Sequence, residues 1–186
     1  AEVSRTMAKM LHLNEFTSPS TTIYDPTCGS GSLLLRAISE TPNGATPFGQ
    51  EKDNATASLA ILNMLLHGVD TATIEQADTI NSPQFLAGGT LETFDICIAN
   101  PPFSTKDWLG AVGEDDIYHR WNKDMCPPAK CGDYAFLLHL IASMKPGTGR
   151  GACILPHGVL FRGNAEYAIR RHIVDSGYIE GIVGLP

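Results

Sequence analysis

The sequence predicts an α/β fold, an open, doubly wound, mostly parallel sheet with helices on both faces. Three observations carry this expectation. Short β-branched or aromatic runs alternate along the chain with segments of helical periodicity. The run FDICIA at residues 94–99 is an apolar strand of the kind buried on both faces. Glycine or Pro-Gly closes helical segments at Gly68, Pro146-Gly147 and Gly177.

The elements follow in order. Residues 1–13 place Val3, Met7, Met10 and Leu11 at helical spacing. Thr22-Ile23-Tyr24 reads as the first strand and ends at Asp25-Pro26; residues 32–39 are then helical. Residues 47–51 form a second strand, and Asp53 caps a helix running to His67. Residues 73–76 and 94–99 are the third and fourth strands. Residues 104–131 mix Gly, Pro and charge without periodicity, a length that in a compact domain usually signals function. Residues 134–144 form an apolar helix, 151–155 the fifth strand, 164–176 an amphipathic helix and 178–185 the sixth strand.

The chain has 186 residues, 43% of them apolar and 18% charged, which suits one globular domain over residues 1–186 and argues against disorder. Its longest apolar runs, such as Leu33-Leu34-Leu35, are far too short to span a bilayer, and no leader is legible. Five cysteines at irregular spacing suit free thiols in a reducing, cytoplasmic compartment. Cys126 and Cys131 read as loop thiols, because His119 and His139 stand at no zinc-knuckle spacing; no metal is expected. The net charge of −7 resides in residues 1–100, with four basic and eleven acidic side chains; the remainder holds nine of each. Such a domain does not attract phosphates by its overall field, so any grip on nucleic acid must come from a local patch or another polypeptide.

Four signals fall at the carboxyl ends of successive strands, where an open parallel sheet places its ligand. The first is Asp25, Pro26, Thr27, Cys28, Gly29, Ser30, Gly31 and Ser32, a turn with two glycines that opens a helix. It is neither a dinucleotide fingerprint, since Leu34 stands where the third glycine belongs, nor a P-loop, since Gly-Lys-Ser/Thr is absent. The second is Glu51, a carboxylate able to accept two ribose hydroxyls or a solvated strand-end acid. The third is Asp78, able to accept from an adenine amino group or to serve as a turn residue. The fourth is Asn100-Pro101-Pro102-Phe103. Each proline disfavours helix in the residue before it and removes an N–H donor, leaving acceptors and an aromatic face suited to a planar substrate that offers an N–H2 group.

The stretches YDPTCGSGSLLLRA, GQEKDNATASLAILNMLLHGV, QAD, FDICIANPPF, DYAFLLHLI and ILPHGVLFRGNAEYAIRRHI resemble the modification subunit of type I restriction-modification systems, S-adenosylmethionine-dependent DNA adenine-N6 methyltransferases. The resemblance runs to the last Leu185-Pro186 and implies a Rossmann-like class I methyltransferase fold. It implies that residues 25–32 hold the methionine end of the cofactor, Glu51 the ribose and Asp78 the adenine. Asn100, Pro101, Pro102 and Phe103 then receive a flipped target adenine. Hydrogen bonds from N6 to the Asn100 oxygen and the Pro101 carbonyl would localise the nitrogen lone pair for attack on the sulfonium methyl. Implied partners are double-stranded DNA, a specificity subunit and a restriction nuclease subunit, with no membrane.

Members of that family carry a Phe/Tyr-Thr-Pro motif before the first helix, a long N-terminal helical domain, a last antiparallel strand and a C-terminal tail. The chain is therefore expected to be a catalytic-domain fragment with weakened cofactor binding and the last antiparallel strand missing; Phe16-Thr17-Ser18-Pro19 is read as a loop. Arg162, Arg170, Arg171 and Lys145 form the best basic patch, although Arg170 and Arg171 also suit a solvated helix face. His157 reads as a strand-end polar residue, and His67 and His139 as structural or surface groups. Trp108 and Trp121 either cover the base or pack the long loop. Two other readings stand beside the methylase, a methyltransferase acting on a protein glutamine amide and an inactive scaffold of the same fold.

Overall fold

The computed structural model describes residues 2–185. The terminal residues 1 and 186 of the expected domain lie outside them. Five parallel strands form the main sheet: β1 (Thr22–Asp25), β2 (Thr46–Glu51), β3 (Thr73–Gln76), β6 (Ile96–Ala99) and β7 (Arg150–Cys153), in the spatial order β3-β2-β1-β6-β7. Between β3 and β6 a small antiparallel hairpin, β4 (Leu86–Ala87) and β5 (Thr90–Leu91), turns through Gly88 and Gly89, both at positive φ. The chain winds outward from β1 through β2 to β3, then returns to β6 on the other side of β1. The order therefore reverses between β1 and β6, which are paired directly, Ile23 with Ile96 and Tyr24 with Cys97. In such sheets the crevice outside the carboxyl ends at this reversal takes the ligand.

The helices are α1 (Glu2–Met10), α2 (Leu13–Phe16), α3 (Ser32–Ser39), α4 (Asn54–Leu66), α5 (Asp133–Ala142) and α6 (Ala165–Asp175). Strand alternation divides the core. Ile23, Ile96 and Ile98 face Met7, Leu11, Leu34 and Met64, whereas Tyr24, Cys97 and Ala99 face Phe85, Phe94 and Leu140. This period-two division explains why residues 96–99 are buried throughout. On α1 the buried residues are Met7 and Ala8; Val3 and Met10 are exposed. Asp53 caps α4 as expected, its carboxylate accepting from Thr56 N–H at 2.8 Å. At the amino end of the sheet, Asp95 accepts from the N–H and hydroxyl of Thr22 at 2.9 and 2.8 Å and pairs with Lys145 at 2.8 Å.

Residues 178–185 do not form the expected sixth strand. Among the described residues they join no ladder, and β7 is the sheet edge. A strand needs a neighbour to take its backbone groups. Here Tyr178 N–H closes onto Ile173 O, Glu180 pairs with Arg150 at 3.2 Å, and Ile182 and Val183 stay exposed. The short α2, unanticipated, ends at Phe16, so the segment read as a loop begins one residue later.

The long segment 104–131 has a single short 3-10 turn, at Lys123–Met125, yet much of its interior is buried. Trp108 and Trp121 meet edge to face at 5.3 Å between centroids and donate to Pro128 O and Gly113 O; they pack the loop down. Arg120 is fully buried, and its five donors all have acceptors. Nε and Nη2 donate to the two oxygens of Asp116 at 2.7 and 2.9 Å, Nη2 also to Ile80 O at 2.7 Å, and Nη1 to Thr79 O at 3.3 Å and His139 Nδ1 at 3.1 Å. A guanidinium only donates, so Nδ1 accepts and His139 Nε2 carries the proton offered to Tyr24 Oη at 3.1 Å. Burial, with the Arg120 charge beside it, holds this imidazole well below its usual range and keeps it neutral.

No helix among the described residues is long and apolar enough to cross a membrane. Removing the guanidinium would strand a buried carboxylate and several acceptors. Arg120→Ala is expected to destabilise the fold by about 3–5 kcal/mol. Arg171→Ala, which breaks an exposed pair at 3.3 Å, should cost under about 1 kcal/mol. Urea unfolding of both variants measures the contrast.

Candidate functional site

The turn after β1 is built by its backbone. Asp25 is buried and its Oδ1 accepts from Thr27 N–H at 2.9 Å. Cys28 N–H donates to Gln50 O, and Gly31 N–H to Cys28 O at 2.8 Å. Gly29 and Gly31 both have positive φ, and a side chain at Gly31 would meet Met64 Cε at 2.8 Å, so only glycine fits there. Nothing stands within 4 Å of the corresponding position on Gly29, which leaves open space over the turn. Ser30 and Ser32 share a hydroxyl contact at 2.8 Å, and Asn63 of α4 donates to Ser30 O at 3.0 Å. Thr79 Oγ1 donates to Pro26 O, joining this turn to the one after β3.

Glu51, at the end of β2, reaches the turn directly. Its Oε2 accepts from Gly29 N–H at 3.0 Å and its Oε1 from Asp53 N–H at 2.9 Å. A carboxylate has about four lone-pair sites, so acceptor capacity remains. Asp78 accepts from the N–H groups of Ile80 and Asn81 at 3.0 Å each and pairs with Lys52 at 2.8 Å. Burial alone would raise its carboxyl, but Lys52 and the Asn81 N–H hold it below the usual range. Asp78 thus does the work of a turn residue while keeping a lone pair free on Oδ2. Its loop is held by Gln50, which sequence reasoning missed. That side chain is fully buried in β2, donates to Ala77 O and Ser82 O, and accepts from Gln84 N–H. A polar residue in the middle of the turn-to-carboxylate stretch Gly49-Gln50-Glu51, at the end of a central strand, was the signal that could have found it.

Asn100-Pro101-Pro102-Phe103 leaves β6 at the same end, one strand from the glycine turn across the reversal. Pro101 is buried, whereas Asn100, Pro102 and Phe103 are exposed, with Phe103 at 52%. The amide of residue 100 therefore faces outward and is not spent in the core. Hydrogen bonds gather residues 25–31 and 51 into one cluster, and Asp78 adjoins it through its neighbour Thr79, which bonds to Pro26, and its ion pair with Lys52; residues 100–103 join it through strand pairing, with no hydrogen bond to it among the described residues.

The expected basic patch is not formed. Arg162 pairs with Asp133 at 2.6 Å and Glu166 at 2.8 Å, and Arg171 with Asp175. Arg170 donates to Val159 O and Arg162 O. Lys145 sits on Asp95 at the opposite, amino end of the sheet. Acidic partners four residues on or far off in sequence meet the charges of Arg162, Arg171 and Lys145, and backbone carbonyls engage Arg170. His157 is exposed just after β7. Among the described residues no three His, Cys, Asp or Glu side chains are grouped to hold a metal ion. Cys131 bonds to Asp133, and burial pushes the Cys28 thiol upward.

Comparison with known proteins identifies the family. The model of the N-6 DNA methylase family matches residues 1–186. The type I restriction enzyme MpnII methylase subunit of Mycoplasma pneumoniae is 31% identical over 178 residues, 88% of this chain and 32% of that protein. The MjaVII methylase subunit of Methanocaldococcus jannaschii is 31% identical over 196 residues, covering all of this chain and 32% of that one. Among solved structures, the type I restriction-modification methyltransferase subunit from Streptococcus thermophilus superposes with a TM-score of 0.83 at 37% identity, over 94% of this chain and 37% of that one. The chain spans about a third of the length of the curated relatives it matches.

Burial pushes the Asp25 carboxyl up to about 7 against an ordinary 3.8, with the nearby Glu51 charge adding to the rise and the Thr27 N–H opposing it. The folded chain then binds more protons than the unfolded one between these values, so stability falls as pH rises from about 4 to about 7 and levels above that. Asp25→Asn should remove this contribution. The variant's advantage over the parent should grow across that window by about 1–4 kcal/mol, read from urea unfolding at each pH. Parallel curves would mean that the carboxyl titrates normally.

Proposed function

This chain belongs to the N-6 DNA methylase family, and from that premise we propose that it is the catalytic domain of a type I modification subunit. The reaction is transfer of a methyl group from S-adenosylmethionine to N6 of an adenine swung out of duplex DNA. The observation that carries the reading is the outward-facing Asn100 and Phe103, one strand across the sheet's reversal from an open glycine turn.

The residues present fit the cofactor. The space over Gly29 admits its amino-acid end, and Asp25 and Glu51 brace the turn beneath it. Glu51 keeps lone pairs for two ribose hydroxyls, and Asp78 keeps one for an adenine amino group. When bound, S-adenosylmethionine supplies an activated methyl group. The chain's own task is orientation. Asn100 Oδ1 and the Pro101 carbonyl accept from the target amine, drawing it from planar towards tetrahedral and localising its lone pair. Phe103 offers a face on which the extruded base stacks. Holding both reactants in place removes the cost of a bimolecular encounter.

The acidic balance and the ion-paired Arg162 and Arg171 leave the domain with little long-range pull on phosphates. A separate specificity subunit, and where present a nuclease subunit, then supplies the grip and the target sequence, and the setting is the cytoplasm. The test is methyl transfer by the full-length subunit, assembled with its specificity subunit, using labelled cofactor and duplex DNA. Label should enter adenine N6. Asn100→Ala should lower kcat by about 10²–10³-fold while leaving cofactor affinity within a few fold. Label in protein, or an Asn100→Ala enzyme of full activity, would overturn the proposal.

A further inference from the structure

The segment carrying Asn100 and Phe103 hangs between two hydrogen bonds, with a third inside it from the Thr105 hydroxyl to Pro102 O at 3.0 Å. At its start Ile154 N–H donates to Ala99 O at 3.0 Å. At its end Ser104 N–H donates to Asp133 Oδ1 at 2.7 Å. Pro101 and Pro102 between them have no N–H to offer. Thr105 O accepts from Gly132 N–H at 2.9 Å, so the two residues after Phe103 are clamped by the two at the start of α5. Ser104 sits at φ +52, a left-handed conformation that a non-glycine residue keeps only where its surroundings enforce it.

Asp133 is itself held. It is 1% exposed, and its Oδ2 accepts from Arg162 Nη2 at 2.6 Å and from the Cys131 thiol at 3.2 Å. Arg162 Nε lies 2.8 Å from the buried carboxylate of Glu166 on α6. A neutral acceptor could take the Ser104 bond alone. Only a carboxylate also meets a guanidinium arriving from the segment after β7, through a short, charge-assisted bond. Ser104, Arg162 and Cys131 thus converge on Asp133.

We propose that Asp133, braced by Arg162, is a positioning residue for methyl transfer: by fixing Ser104 it sets the direction in which Phe103 presents its ring to the target base. The inference rests on residues 100–103 being the base pocket. The clamp touches neither the glycine turn nor Glu51, so its loss should misplace the base and spare the cofactor.

The experiment uses the full-length subunit with its specificity partner and duplex DNA. Asp133→Ala should lower kcat by about 10²-fold, the cost of a misplacement near 1 Å, with cofactor affinity unchanged. Hydrogen exchange at the Ser104 amide should rise at least about tenfold. Asp133→Asn, which keeps an acceptor for Ser104, should recover part of both. Should Asp133→Ala fail to fold, Arg162→Gln replaces it, with the same selective loss of kcat expected. An unchanged kcat with an unchanged Ser104 exchange rate overturns the proposal. So does a parallel fall of kcat, cofactor affinity and thermal stability, which marks a merely structural residue. If the unmutated enzyme methylates no adenine, the functional reading itself fails, and this inference with it.

Discussion

The buried Arg120 guanidinium is the contact on which the rest of the architecture turns. Its five donors bind a loop that has almost no secondary structure of its own to the turn after β3, to its own Asp116 and to the neutral His139 of α5. An isolated buried charge is costly, and here complete hydrogen bonding offsets that cost. Through Thr79 and Pro26 the same contact reaches the glycine turn, and through His139 and Tyr24 it reaches the strand at the sheet's reversal. The carboxyl end of the sheet is thereby held by one polar centre whose partners lie far apart in sequence.

That centre was invisible in the sequence, and the reason is physical. Arg120 sits among Gly, Pro and mixed charge, where no periodicity marks a buried position, and two of its five acceptors are backbone carbonyls, which every residue has. By contrast, β1, α3, α4, β3 and α6 were legible almost to the residue, because short β-branched runs, Asp53 as a cap and glycine stops after α4 and α6 encode them locally. The candidate site was legible in its members, since glycine pairs and Asn-Pro-Pro-Phe carry their own backbone constraints. Its place at the carboxyl ends of the strands followed from the parallel-sheet expectation, whereas the contacts that lock it were not legible, because they join residues such as Thr79 and Pro26, 53 positions apart. The strand expected at 178–185 failed for a related reason: propensity proposes a strand, but only a neighbouring ladder makes one.

The site divides its labour between backbone and side chain. At the glycine turn, carboxylates serve N–H groups that bulkier residues would shield. Across the reversal, paired prolines remove donors and leave acceptors. One side is thus shaped by Asp25 and Glu51, the other by the absence of N–H. This asymmetry suits a pocket meeting an electron-poor carbon donor on one flank and an amine on the other.

The strand order has a temporal side. β1 is made some 70 residues before β6, the partner that covers its flank, and β6 some 50 before β7. Long-range parallel pairing is slow because loop closure must precede any reward from contact. On a ribosome adding about 5–20 residues each second, Ile23 and Tyr24 wait for several seconds as an uncovered edge. The crevice at the reversal is thus a late product of synthesis, complete only after its second wall has left the exit tunnel.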